Sequence, residues 1–273
     1  MNSTLNRSSI GFDKKIAERS GKESLYLDQI DVSTATVPRN ILVKNNLGNP
    51  LTQIDITCNA IRIAGFLVES ISVTVDITQV GANGRDEGEL RADAWYYLWL
   101  VFKDAGDEVA GLLSTNRETP IMPMGYTQKR LIGAVRTKAT GALMEFAQVG
   151  RDVFYNEGGG STGIQVLSSG GATTFTDVDC RRLVPVNIAG LLHLNFTVRD
   201  NTGDNSAALF VRPNGWTTYD NYFQINCLTG PEVNRLLATT FWMPTEDGVI
   251  EYKVSQAGET ANLYVVGYQL MLW

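Results

Sequence analysis

An all-β fold of two antiparallel β domains, the C-terminal one a β-sandwich or jelly roll, with a short N-terminal arm, follows from three observations on this sequence. Apolar residues recur at every second position over many segments, the period of a half-buried strand. Clusters of Gly, Asn and Asp punctuate those segments at intervals of about 10–12 residues, the spacing of short strands joined by turns. A helix-compatible pattern is confined to Phe12–Arg19 (FDKKIAER), too short to hold itself in water.

Residues 1–45 read as a docking arm. Phe12 and Ile16 are almost the only apolar anchors of its first part, and Leu25–Val32 (LYLDQIDV) alternates well enough for one strand. Such a segment is either a polar, loosely attached leader or an arm that orders when a neighbouring subunit supplies the missing contacts. A first β domain spans 46–157. Ile54, Ile56 and Cys58 alternate with polar residues, then Ile61, Ile63 and Leu67, and Ile71, Val73, Val75 and Ile77 repeat at every second position. A polar loop (GANGRDEGE) precedes Trp95–Lys103 (WYYLWLVFK), the strongest β run in the chain, rich in aromatic and β-branched residues. Asp104–Asp107 reads as a hairpin turn with a return strand at Val109–Leu113. Pro120 and Pro123 fix an extended crossing, and strands follow at Arg130–Thr137 and Met144–Tyr155.

Glu157–Gly163 (EGGGSTG) has linker composition and reads as the boundary between the first domain and a second at 164–273, the alternative being a wide hairpin turn. That second domain is predicted to hold eight strands: Ile164–Leu167, Thr173–Val178, Leu191–Arg199, Ala207–Arg212, Tyr222–Leu228, Leu236–Met243, Val249–Ser255 and Leu263–Leu272. The apolar final strand calls for pairing inside a sheet or cover by another subunit.

Composition narrows the function classes. The chain has 273 residues, 44% hydrophobic and 19% charged, with 23 Lys+Arg against 29 Asp+Glu. This acidic balance makes nucleic acid an unexpected partner, because phosphate binding rests on clustered cations. No apolar run is long enough for a transmembrane helix, and the polar N-terminus lacks the core of a secretory signal, so no membrane insertion is expected. Cys58, Cys180 and Cys227 are far apart and read as small buried hydrophobes of a chain made in a reducing compartment. One histidine, His193, excludes a multi-His metal site within one chain.

From Trp95 to Thr137 the sequence resembles a module of tailed-bacteriophage virion proteins, best known from tail fibres and other host-attachment proteins. There an aromatic strand leads into P-x-x-P-x-G-Y-T-x-(K/R)-R and then an I-G-(S/A)-x-R-T strand. Ser114, ahead of the first proline, and Pro120, Pro123, Gly125, Tyr126, Thr127, Lys129, Arg130, Ile132, Gly133, Arg136 and Thr137 occupy the matching positions. The match covers about Ile54–Asp152, and the last strand, with its V-x-G-Y, loosely resembles the closing strand of fibre-tip sandwiches. What the resemblance implies is a virion protein, trimeric by analogy with fibres, docked on other virion proteins through its arm. On their own physics the motif residues are structural: the prolines cannot donate to a ladder, Gly125 supplies an unusual backbone angle, Tyr126 buries its ring, and Arg130 and Arg136 bridge to acids.

Glycan hydrolysis needs two carboxylates about 5–10 Å apart in a cleft. The dense acidic spots, Asp86-Glu87-Glu89, Asp104-Asp107-Glu108 and Asp177-Asp179, fall in or beside expected turns and read as solvated. Asp200–Asn205 (DNTGDN) is acidic enough to suggest Ca²⁺ but lacks EF-hand spacing, so it reads as a hairpin loop, and no metal or cofactor is expected. His193 alternates with Leu191, Asn195 and Thr197 as a structural or surface imidazole. One cluster has ligand-binding chemistry: Trp216, Tyr219, Asp220, Asn221 and Tyr222 concentrate aromatic, amide and carboxylate groups around a turn. A pyranose has an apolar face to stack and a polar edge to hydrogen-bond, so these five are receptor or glycan-contact candidates; the alternative is that Trp216 and Tyr222 plug the sandwich end or a subunit interface. The sequence therefore points to a non-enzymatic virion component, a tail fibre or tail-associated protein for host attachment. The alternatives are a head, neck or baseplate structural protein and a glycan-degrading tailspike.

Overall fold

Period-2 patterning is realised throughout: among the described residues there are seventeen strands and no helix. The computed structural model describes residues 38–103, 105, 108–157, 163–201, 207–217, 223–226 and 235–272. Phe12–Arg19, Leu25–Val32, Cys227 and four of the five contact candidates, Tyr219–Tyr222, lie outside them.

One large sheet organises the molecule. Its nine strands run β15 (Arg235–Pro244), β12 (Ala189–Asp200), β17 (Thr260–Leu270), β9 (Asp152–Tyr155), β8 (Phe146–Val149), β1 (Leu42–Asn45), β2 (Gln53–Ile63) and β3 (Phe66–Asp76), with β10 (Ile164–Gly170) beside the first part of β17. Two four-stranded sheets cover its ends. One is β4 (Gly84–Arg85), β6 (Glu108–Ser114), β5 (Trp95–Lys103) and β7 (Gln128–Arg136). The other is β11 (Thr176–Asp179), β16 (Val249–Val254), β13 (Ala208–Pro213) and β14 (Phe223–Asn226). All pairings between these strands are antiparallel except the two-residue parallel contact of β4 with β6. The result is two sandwiches built on a common sheet, with one hydrophobic cluster running through both.

Strand β5 shows why the pattern works. Tyr96, Leu98, Leu100 and Phe102 point into the main core, and Trp99 and Val101 point to the opposite face. That opposite face is covered by the crossing at 115–127, whose Tyr126 and Met122 pack on Trp99, Val101 and Leu112. In the second sandwich Phe196 and Phe241 stack at 4.5 Å, and Phe223 of the facing sheet closes on Phe241 at 3.6 Å. Cys58 and Cys180 are buried, free thiols, as expected, and burial pushes Cys180 up to about 12.

Strand β17 joins the halves. Its Ala261–Val265 part pairs with β10, and its Gly267–Gln269 part pairs with β9. Opposite β12, His193 faces Gly267 while Leu194 faces Val265, so Val266 is a bulged residue at the point where β17 changes partner. Side chains tie the same seam: Tyr268 donates to the Ala134 carbonyl at 3.0 Å, and Tyr155 to the Leu183 carbonyl at 2.7 Å.

Three expectations change in detail. Residues 39–45, grouped with the arm by composition, are sheet: Ile41 and Val43 are buried, and β1 lies between β2 and β8. Met144–Tyr155 is a hairpin of two strands, not one, because the chain turns at Gly150–Arg151 with Gly150 at φ 61°. The Gly-rich joint at 157–163 connects segments that share the β9–β17 pairing.

Candidate functional site

At one end of the second sandwich two turns meet to form a pocket of about 310 Å³. The first turn follows β13: Gly215 takes φ 74°, and the Trp216 amide donates back to the Pro213 carbonyl at 3.2 Å. The second, Thr245–Gly248, is held by the Gly248 amide on the Thr245 hydroxyl at 2.9 Å. Asp247 locks the two together, accepting from the Asn214 side-chain amide at 2.6 Å and from the Val249 amide at 2.9 Å. Trp216, 36% exposed, and the exposed Met271 supply apolar wall, with Glu246 on the rim. An indole face beside an amide–carboxylate pair offers stacking and hydrogen bonding within one small concavity. Of the five contact candidates Trp216 is the one described, and it lines this pocket; Tyr219, Asp220, Asn221 and Tyr222 lie outside the described residues.

The motif residues do structural work. Pro120 is buried at the start of the extended crossing, and Pro123 accepts the Tyr126 amide at 3.1 Å around Gly125, whose φ is 86°. Tyr126 donates its hydroxyl to Glu108 at 2.9 Å, and burial with that carboxylate pushes the phenol up to about 12. Arg130 reaches the Arg62 carbonyl at 2.7 Å. Gly133 leaves room for Gln148, which donates to the carbonyls of Ile132 and Gly150 at 2.9 and 3.0 Å. Arg136, 8% exposed, pairs with Asp93 at 2.6 Å beneath Trp95. Thr137 accepts the Ala94 amide at 3.0 Å and donates to the Arg91 carbonyl at 2.8 Å.

A second concavity, about 350 Å³, lies between the two sandwiches and contains Asp93 and Asp179. Both carboxylates are held by guanidinium groups. Asp93 meets Arg136 and, at 3.3 Å, Arg182; Asp179 accepts two bonds from the Arg181 guanidinium, at 2.7 and 2.9 Å, and one from the Arg181 amide at 2.9 Å. Hydrogen bonds from these arginines pull both acids below their usual range. A general acid for glycoside cleavage needs the opposite, a raised pKa. Among the described residues no group of three or more His, Cys, Asp or Glu is placed to hold a metal.

Sequence reasoning missed a row of residues across the outer face of the large sheet. The pairings align Trp242, His193, Gly267, Phe154, Ala147, Lys44, Asp55 and Thr74, one from each successive strand. At the aromatic end His193 stacks on Trp242 at 4.5 Å, and Phe154, 37% exposed, meets the imidazole edge at 6.0 Å across the side-chain-free Gly267. An open groove of about 510 Å³ continues from Phe154 past Tyr155 and Asn46 to Leu47. The row depends on register between strands far apart in sequence, and no local signal carries it.

The fold and pocket thus define an all-β, double-sandwich chain with a surface concavity suited to a ligand of mixed polarity. No protein-family model matches the chain, and no curated protein matches it significantly.

Proposed function

We propose that this chain is a non-enzymatic structural protein of a bacteriophage virion, a tail-fibre or tail-associated component that contributes to host attachment. In this reading it works as a homotrimer, docks on other virion proteins through residues 1–37, and meets host cell-surface glycan at the far end of the second sandwich. The observation that carries the attachment role is the Trp216 pocket, where a partly exposed indole stands beside the paired Asn214 and Asp247. The Pro120–Thr137 motif supports the virion assignment, and its contacts are those of a scaffold. A non-catalytic role is supported by Asp93 and Asp179, whose arginine partners keep them ionised.

The test is binding of the purified protein to a panel of bacterial lipopolysaccharides, capsular polysaccharides and teichoic acids. The wild type is expected to select among them, Trp216→Ala to weaken the selected interaction at least tenfold, and Trp216→Phe to keep part of it. Binding that ignores Trp216→Ala, or no binding across the panel, overturns the attachment role. The outer face of the large sheet, with Phe154, His193 and Trp242, favours one second reading: a head, neck or baseplate protein whose flat face packs on neighbouring virion subunits.

A further inference from the structure

The dipeptide Asn-Gly occurs twice in the chain, at Asn83–Gly84 and at Asn214–Gly215. In this sequence an asparagine side chain lies most open to attack by its own backbone, because glycine has no Cβ to hinder the approach of its amide. The reaction needs that amide to be free and able to move, and the two sites differ in this respect. Gly84 is buried, and its amide donates to the Gly81 carbonyl at 3.0 Å. Asn83 is fixed on three sides. Its amide donates to the Gly111 carbonyl at 2.8 Å, its carbonyl accepts the Asp76 amide at 2.8 Å, and its Oδ1 accepts the Gly111 amide at 2.9 Å.

Asn214 and Gly215 are exposed, at the centre of the turn that the Trp216 amide closes on the Pro213 carbonyl. A turn closed in this way makes no use of its central amide, and among the described residues the Gly215 amide meets no acceptor. Space is open as well, since no atom lies within 4 Å of a Cβ built on Gly215. The Asn214 carboxamide is held through its nitrogen, by Asp247 at 2.6 Å. Once the Gly215 amide loses its proton, its nitrogen can attack Cγ of Asn214. The new C–N bond closes a five-membered imide, the Cγ–Nδ2 bond breaks, and ammonia leaves with a proton. Water then opens the ring at either carbonyl, giving aspartate or isoaspartate. One water is consumed and one ammonia released, with nothing oxidised or reduced. The product sets a carboxylate where a donor stood, so the attraction to Asp247 becomes like-charge repulsion.

We propose that Asn214–Gly215 is a site of spontaneous self-modification, where Asn214 converts to aspartate and isoaspartate in the folded protein and so breaks the lock between the two turns of the Trp216 pocket. The chemistry needs no ligand and stands apart from the attachment role. The experiment incubates the full-length protein in mildly alkaline buffer, folded and in guanidinium, and follows both Asn-Gly peptides by mass mapping with isoaspartyl methyltransferase labelling. In folded protein Asn214 is expected to convert at least tenfold faster than Asn83. In guanidinium, where the Gly111 and Gly81 contacts are gone, the two should convert at similar rates. Asn214→Gln, whose longer side chain would have to close a six-membered ring, should leave its peptide unchanged. Asn214→Asp, the product itself, should lower the Tm by about 2 °C, and by less in high salt, which screens an exposed pair of like charges. Equal rates at the two sites in folded protein, or no conversion at Asn214 while the denatured chain converts, overturns the proposal. A Tm for Asn214→Asp equal to that of the wild type overturns the breaking of the lock.

Discussion

A Cβ built on Gly267 falls 1.9 Å from the carbonyl oxygen of Val153, so the backbones of β17 and β9 meet where only glycine fits. This contact sits at the bulge where β17 changes partner, and it lets Phe154 and His193 approach each other over the gap. The seam between the two sandwiches rests on it.

Gly267→Ala must therefore push two backbones apart, not just shift a side chain. The expected loss is more than about 3 kcal/mol, the upper end of overpacking effects, read as a fall in the denaturant midpoint or as insoluble protein. Unchanged stability would mean that β9 and β17 are not paired at this point.

Arg212 and Glu251 form an ion pair at 2.6 Å with both side chains nearly buried and Phe175 stacked on the guanidinium at 3.7 Å. Arg212→Ala strands the carboxylate in the interior, at an expected cost of about 3 kcal/mol. The double variant Arg212→Met with Glu251→Leu should recover most of that loss, as chemical denaturation can measure.

Burial holds the Tyr155 and Tyr268 phenols far above their ordinary pKa of 10.0, and Tyr126 is pushed up to about 12. A phenol whose folded pKa is raised binds its proton more tightly when folded. Its contribution is complete below pH 10 and is lost as the pH climbs from 10 towards 12 and beyond. Phenolate absorbance should therefore rise in a cooperative step that coincides with loss of circular dichroism. Gradual titration of every tyrosine near pH 10 in folded protein would contradict this packing.

His193 is the one imidazole in the chain, which makes its titration readable by NMR without assignment. Burial between Trp242 and Phe154 lowers its pKa below 6.5, against a weaker opposing pull from Asp152. Here the unfolded state binds the proton more readily, so stability is full above pH 6.5 and falls as the pH drops through the folded pKa. The NMR midpoint is expected below 6.5, moving up in Trp242→Ala.

Much of this fold was legible where the signal is local. The alternation in Trp95–Lys103 specified β5 and both its faces, and all eight strands expected after Ile164 are present to within a few residues. Features that depend on pairing were not legible. Nothing in Leu263–Leu272 says that the strand pairs with β10 and then β9, and Gly150–Arg151 does not look strong enough to break Met144–Tyr155 into a hairpin. Arg85 sits in a loop expected to be solvated, yet it is buried and donates to the Ile77 carbonyl at 2.6 Å. Trp216 was visible as a candidate because the signal around it is local; Asp247, which accepts from Asn214 and lines the same pocket, lies in another turn and was not.

The central claim, a self-associating virion component, is tested most directly by its mass in solution. Light scattering behind size-exclusion chromatography should be run on the full chain and on a chain beginning at residue 38, which keeps β1 intact. A mass about three times 30.0 kDa for the full chain, and a threefold mass for the shorter one, is the result expected of a trimer assembled by the β sandwiches. A monomer in both contradicts the trimeric fibre and leaves a structural subunit that is organised by its neighbours in the particle.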